Sequence, residues 1–308
     1  MRKYLLFVGY IISVAILFFA MDLGAGALFD KYLFLKKDTK MMHVYGDKSE
    51  ELVILGASRA AHHYIPAVLE DSLGLTCYNY GMDGRNIFNQ YVVASELLNK
   101  PQGGAKVVIL EVAYIDVEDS PGWNDEKLSN LYILYKKDAN VKEIIDGGNK
   151  STGLALQYCN LFRYNSSMLS YIRQVMSKGQ IEDTRGYEPL TAVWNKDVET
   201  LENDVNPSFH PQKEKYLRAL IEECKNKGVK LILYNSPDYR YFENHLVWED
   251  RITDICKEYG IPFVNHEHDT IFMSHKDWFN EPFHLNDEGA KAYSSLVAEE
   301  IKDYITIN

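Results

Sequence analysis

Apolar and polar positions in this chain repeat on two periods, and the switches between them mark out the elements. The first 29 residues stand apart. After Met1, Arg2 and Lys3, the run YLLFVGYIISVAILFFAM, residues 4–21, carries no charge until Asp22. At about 1.5 Å rise per residue it spans most of a hydrocarbon layer roughly 30 Å thick. Residues 1–29 are therefore expected to form an N-terminal transmembrane anchor. A cleaved signal peptide is the competing reading, because Ala25-Gly26-Ala27 resembles a small-residue cleavage site. Basic residues lie on both sides of the run, so charge does not orient it. A very short tail before a lone apolar segment is the usual export arrangement. It places the rest of the chain outside the cytoplasm, in the cell envelope or periplasm. Residues 30–50 read as a polar connector.

From residue 51 short apolar runs alternate with helical patterns. ELVILG (51–56), LTCYNYG (75–81), AKVVILEVAY (105–114), VKLILYNSP (229–237) and IPFVN (261–265) read as strands. The unbroken apolar character of the third suits a sheet covered on both faces. Helices are expected over 59–74, with Pro66 as an interruption, and over 86–100, 214–228, 245–260 and 287–305. In the second, Ile87, Tyr91, Ala94, Leu97 and Leu98 share one face. Strands alternating with helices predict a three-layer, flavodoxin-like parallel α/β sheet of about five strands, covering residues 51–308. Residues 117–210 break the alternation. They read as a long insertion: a wall or lid over the strand ends, or a surface elaboration that only adds stability. A helical piece is expected over 164–178.

Composition narrows the partners. The 308 residues are 46% hydrophobic and 25% charged, as ordinary globular chains are, and 33 Lys+Arg against 44 Asp+Glu give a net charge of −11. An acidic chain gains nothing from counterion release on a phosphate backbone, so no nucleic-acid partner is expected. Cys77, Cys159, Cys224 and Cys256 match no zinc spacing and are expected to be buried, small apolar residues. HEHD at 266–269 lacks a further ligand at metal-binding spacing, so neither a metal nor a cofactor is expected.

In such sheets chemistry sits at the carboxyl ends of the strands. Ser58 follows the first strand and is either a helix cap or a nucleophile. Gly81 follows the second, where it makes a simple turn or aims its N–H inward; with the N–H of Ser58 it would then form an oxyanion hole. His284 precedes the last helix, with Glu281 three residues upstream. A serine hydroxyl needs a base, and that imidazole needs a carboxylate to fix its tautomer. Arg59 is a candidate fork for an anionic substrate group, against a surface salt bridge; Arg85 reads as the latter. His62, about one helical turn after Ser58, either faces the site or serves packing, and reads as the latter.

The blocks ILGASRA, NYGMDGRN and NEPFHLNDEGA, in that order, resemble those of the SGNH, or GDSL-type, hydrolases, and most closely their membrane-attached members in bacterial envelopes. The similarity covers about 51–116 and 210–305. It implies Ser58 as nucleophile, Gly81 as oxyanion donor and His284 as base. The family has Asp where this chain has Glu281, and Asp277 is the fallback acid. LEVAYIDVED lacks the Asn that the family places after its third strand, which leaves Tyr114 or Asn86 as substitutes, a weak activity, or another use of the site. The resemblance implies a serine esterase that removes O-acyl, chiefly acetyl, groups from an acylated carbohydrate. O-acyl transfer by the same serine, and glycan binding without catalysis, are the alternatives.

Overall fold

In the computed structural model the described residues are 1–33, 40–47, 50–100, 104–119, 128–164, 184–195, 201–202, 208–242 and 247–306. The elements used below run in chain order: α1 Arg2–Leu33, β1 Leu52–Leu55, α2 Ser58–His63, α3 Pro66–Leu73, β2 Cys77–Asn79, α4 Ile87–Leu98 and β3 Val107–Glu111. Then come α5 Ala139–Gly148, α6 Lys150–Tyr158, α7 Asn160–Tyr164, α8 Pro211–Asn226, β4 Lys230–Asn235, α9 Val247–Tyr259, β5 Phe263–Asn265, β6 Phe279–Glu281, β7 His284–Leu285 and α10 Asp287–Thr306. They fall into two compact units. One holds Met1–Met42 and Leu128–Ile181; the other holds His43–Lys127 and Glu182–Asn308. The first takes in the described residues 128–164 of the insertion together with the N-terminal helix.

The larger unit is built on five parallel strands in the order β2-β1-β3-β4-β5. Leu52 lies opposite both Cys77 and Val107, and Ile109 opposite Ile232. Because side chains alternate across a strand, Leu52, Ile54, Ile109 and Ile232 share one face. There they join Tyr293, Val297 and Ile301 of α10 in one buried cluster. Val53, Leu55, Val108, Leu110, Leu231 and Leu233, buried too, point the other way, to the layer where α4 packs on α8. Helices α2, α3 and α10 cover the first face. The three-layer architecture is the one the alternating pattern predicts.

Pro66 does more than interrupt a helix. Proline biases the preceding residue away from helical dihedrals but suits the first helical turn. Tyr64 and Ile65 are accordingly extended, and Pro66 opens α3. The short α2 is thereby released as a separate element behind β1. Of the insertion, residues 184–195 belong to this unit. Glu188 N–H donates to Ala61 O at 3.0 Å, Trp194 N–H to Phe279 O at 2.7 Å, and Asp287 N–H to Leu190 O at 2.8 Å. That segment runs beside α2 and the β6–β7 hairpin. Beyond Tyr164, the helix expected over 164–178 lies outside the described residues.

In the smaller unit, α1 is one continuous helix whose Arg2–Lys31 portion is long and apolar enough to cross a membrane, with a mean hydropathy of 2.4 in its best window. Its C-terminal third packs on α7: Phe29 and Tyr164 have ring centroids 5.0 Å apart. Cys77, Cys224 and Cys256 are buried as expected. Cys159 is a correction. It is exposed, because it sits in the extended link between α6 and α7.

Candidate active site

The chain leaves β1 through Gly56 at φ 152°, where a Cβ would meet Ala60 Cβ at 2.6 Å and Glu111 Cβ at 2.8 Å. A side chain there would force α2 away from the sheet. Ala57 is the residue before α2, and no side chain caps that helix end. Ser58 is therefore not spent as a cap. Its hydroxyl lies 2.7 Å from Nε2 of His284. As first residue of α2, Ser58 also carries one of the backbone N–H groups that no intrahelical carbonyl can take up.

His284 is held from behind. Strands β6 and β7 form an antiparallel hairpin in which Glu281 and His284 are register partners across Pro282 and Phe283. The three-residue spacing read from sequence is thus a tight turn, and it delivers the Glu281 carboxylate to Nδ1 of His284. A carboxylate accepts only, so the ring proton sits on Nδ1 and Nε2 is left to accept from the Ser58 hydroxyl. Glu281 is one methylene longer than an Asp, and the hairpin accommodates it. Asp277, the fallback acid, is not brought here. Its side chain is mostly exposed, with Oδ1 3.5 Å from His275 Nδ1.

Two expected roles meet a different arrangement. Gly81 stands where expected, and a Cβ on it would meet the Ala61 backbone nitrogen at 2.4 Å, so glycine is required for the β2 loop to lie against α2. Its N–H, however, donates to Asn79 Oδ1 at 2.9 Å and is committed there. Asn79, fully buried, also donates through Nδ2 to Ala60 O and Tyr64 O. Arg59, expected to grip a substrate anion, is 4% exposed. A helical residue one place after Ser58 points about 100° away from it, and here that direction is inward. Its guanidinium lies 3.0 Å from Glu111 Oε1 and 3.6 Å from Asp238 Oδ2, and donates to Ser236 O, Val112 O and Asn235 Oδ1. It is part of the scaffold beneath the serine.

That scaffold includes residues to which the sequence pattern assigned no role. Glu111 ends β3 and receives hydrogen bonds from Tyr64 OH, Ser236 N–H (3.0 Å) and Ser236 Oγ (2.7 Å). His63, fully buried, accepts from Leu285 N–H at Nε2 (3.0 Å) and so carries its proton on Nδ1, 2.7 Å from Ser236 Oγ. A continuous chain thus runs from the Glu111 carboxylate through Ser236 and His63 to the backbone beside His284. Burial, then the like charges of His284 and Arg59, hold the His63 pKa well below its ordinary value. That ring is neutral, as its acceptor role requires. The signal for this shell was a lone acid closing an apolar strand. A buried carboxylate must be paired, and a polar NSPD segment follows the neighbouring strand.

Around the dyad lie other rings. His62 and His284 have centroids 5.2 Å apart, and Phe283 and His284 4.4 Å. Arg240 is gripped by Asp238 through Nε (2.9 Å) and Nη2 (2.6 Å) and lies over the Phe283 ring at 4.4 Å and the Tyr114 ring at 5.6 Å. Tyr114 is thereby placed beside Arg240. Asn86 caps α4, its Oδ1 accepting from Phe88 N–H, while its Nδ2 is buried without a partner. His62, Asp83 and Glu188 put one ligand-type atom each within 4.8 Å of one another. His62 Nδ1 donates to the Glu188 carbonyl (2.6 Å) and Nε2 lies 3.1 Å from Asp83. Burial opposes charging of His62, but Asp83 and that carbonyl outweigh it and raise its pKa. His62 thus pairs with Asp83 beside the His284 ring. The HEHD segment is used structurally: His266 faces Tyr293 and Glu300, His268 donates to Arg240 O, and Asp269 caps the following turn.

No family model and no curated protein matches this chain. Solved structures do resemble it. The similarity is to GDSL-type hydrolases. A lipolytic protein of the G-D-S-L family from Desulfitobacterium hafniense gives a TM-score of 0.40 at 12% identity, over 81% of this chain and 98% of that one. An acylhydrolase from Bacteroides fragilis gives 0.41 at 10% identity, over 88% and 100%. An acetylxylan esterase from Geobacillus stearothermophilus gives 0.39 at 11% identity, over 85% and 98%. At these values the chemistry of this chain has to be argued from its own atoms.

Proposed function

We propose that the protein is a serine esterase working through an acyl-enzyme. The observation that carries this reading is the 2.7 Å approach of Ser58 Oγ to His284 Nε2, with His284 Nδ1 on Glu281. Ser58 Oγ attacks an ester carbonyl while His284 takes its proton. Glu281 holds the ring proton on Nδ1, so that Nε2 can accept, and stabilises the imidazolium. The carbonyl oxygen becomes an oxyanion, met by the Ser58 N–H at the start of α2. His284 returns the proton to the leaving alcohol; water then gives a proton to His284 while its oxygen bonds to the acyl carbon, and the Oγ–acyl bond breaks as His284 passes that proton to Ser58 Oγ, releasing the acid. The commitment of Gly81 N–H and the missing Asn leave this hole with fewer donors. Loss of one donor costs about 10²–10³ in rate, so a modest turnover fits.

Within this reading the substrate is an O-acylated carbohydrate outside the cytoplasm, reached by a domain on a membrane anchor. An aromatic surface beside the serine and histidine supports a sugar: the Phe283 ring centroid lies 4.4 Å from that of His284. The test is a fluorophosphonate probe with p-nitrophenyl acetate turnover. Labelling and turnover should both vanish in Ser58→Ala. Labelling that persists in that variant, or wild-type protein that never labels, rejects the assignment. With an acetylated glycan and an acceptor sugar, free acetate marks hydrolysis and acetylated acceptor marks transfer.

A further inference from the structure

The smaller unit contains an arrangement that neither a plain anchor nor a cleaved leader accounts for. Asp22 ends the apolar run of α1 yet is only 9% exposed. Its carboxylate accepts from Asn160 N–H, Leu161 N–H and Asn160 Nδ2, each at 2.8 Å, and from Cys159 Sγ at 3.4 Å. It therefore caps α7 with a charge donated from another helix, which satisfies that helix's free N–H groups and suits its dipole. One turn on, Gly26 lets the helices touch: a Cβ there would meet Asn160 Cβ at 2.5 Å. Two turns on, Asp30 accepts from Tyr164 OH at 2.5 Å and Arg163 Nη2 at 3.1 Å, and pairs with Lys137 at 3.0 Å. Arg163 itself is 2% exposed.

This lock fixes a depth. If residues 4–21 span the hydrocarbon, Asp22 lies at its boundary, because a buried charge is costly any deeper. The start of α7 is then at that boundary as well. The residues flanking it are apolar and uncovered: Leu154 is 61% exposed, Tyr158 73% and Leu161 40%. Leu23 and Leu28 of α1, 48% and 56% exposed, continue the same apolar character beyond Asp22. A tyrosine with leucines, exposed at the level where a span ends, is the chemistry of a membrane interface.

We propose that α6 and α7 are seated in the bilayer interface, with Leu154, Tyr158 and Leu161 in lipid, and that the Asp22–Asn160 and Asp30–Arg163 contacts clamp them to a retained α1. This rests on reading residues 4–21 as a membrane span, and it extends that reading. Ala25-Gly26-Ala27 lie inside α1, and Gly26 is the residue packed on Asn160.

The test uses the full chain in phosphatidylethanolamine/phosphatidylglycerol vesicles. With Cys159→Ser as background, the variants Leu154→Cys, Tyr158→Cys and, as a water-exposed control, Glu299→Cys are each labelled with the fluorophore NBD. The labels at 154 and 158 should emit further to the blue than the control, and lipids bearing a shallow nitroxide should quench them severalfold more. Iodide quenching equal to that of the control overturns the proposal. So does blue-shifted emission without nitroxide quenching, which would mean a protein partner covers the patch. The span is read separately: intact mass beginning at Met1 and resistance to carbonate extraction. If the protein passes those and still shows no nitroxide quenching, only the seating fails. If the N-terminus is lost or carbonate releases the chain, the span reading fails first. Adding Asp22→Ala to the Tyr158→Cys variant should lower nitroxide quenching while leaving carbonate resistance intact.

Discussion

Replacing Arg59 by alanine separates two accounts of the residue beside the serine. If Arg59 held a substrate group, truncation would raise KM and leave the fold intact. The structure gives it another task. Its side chain is 5% exposed and Glu111's 1%, with 3.0 Å between them, and Asp238 lies 3.6 Å away. Burial disfavours the charged guanidinium, yet Glu111 and Asp238 overcome this and raise its pKa. Removing the cation leaves two buried carboxylates with a large part of their compensation gone. Breaking a buried pair in this way costs about 3–5 kcal/mol. At roughly 2–4 °C per kcal/mol for a domain of this size, the midpoint should fall on the order of 10 °C. Arg59→Lys should recover only part of the loss, since one compact ammonium cannot reach all the acceptors that the planar fork spans. Thermal melts of the full-length protein in detergent, followed by near-ultraviolet circular dichroism, measure the effect. Ester turnover below the lower midpoint measures KM. A midpoint equal to wild type together with a raised KM would show that Arg59 faces the substrate and that the buried network has been misassigned.

Glu281→Gln should keep the hairpin but favour the wrong tautomer of His284, lowering kcat by about 10⁴ with little change in melting midpoint; Asp277→Asn should leave kcat unchanged in the same assay. Gly81→Ala should push the β2 loop off α2, because its Cβ would meet the Ala61 nitrogen at 2.4 Å, and should lower both melting midpoint and activity. His63 is neutral in the folded chain, with a pKa well below its ordinary 6.5, whereas the unfolded chain protonates near that value. The folded state therefore binds fewer protons below pH 6.5. This stability is present above the unfolded pKa and is lost as pH falls toward the folded one, by at most about 1.4 kcal/mol per unit. Urea titrations at pH 7.5 and 5.5 should show a steeper decline for wild type than for His63→Asn; equal declines would contradict the assignment.

Periodicity found the sheet because burial on both faces leaves its mark residue by residue. Val107 to Leu110 have no polar position among them, and the strand could lie nowhere but in the middle of the stack. The break at Pro66 was legible because proline sets it locally. The insertion was not legible. Whether Asn160 meets Asp22 depends on a contact between residues 138 positions apart, and nothing in either neighbourhood names its partner.

The site divides along the same line. Glu281 and His284 could be paired from sequence because a hairpin of four residues makes their contact local. Ser58 was an ambiguous cap until its hydroxyl could be seen to cap nothing. Arg59 and Gly81 are candidates for the substrate and the oxyanion because they adjoin the motifs, yet adjacency in a helix or turn says little about direction: the next residue along α2 turns from the hydroxyl into the core. The polar shell of Glu111, Ser236 and His63 joins three strand-ends or helix-ends far apart in the chain. Each member alone looks like ordinary sequence. Together they remove the freedom of the backbone that carries His284, so the precision of the proton transfer depends on groups that never touch the ester.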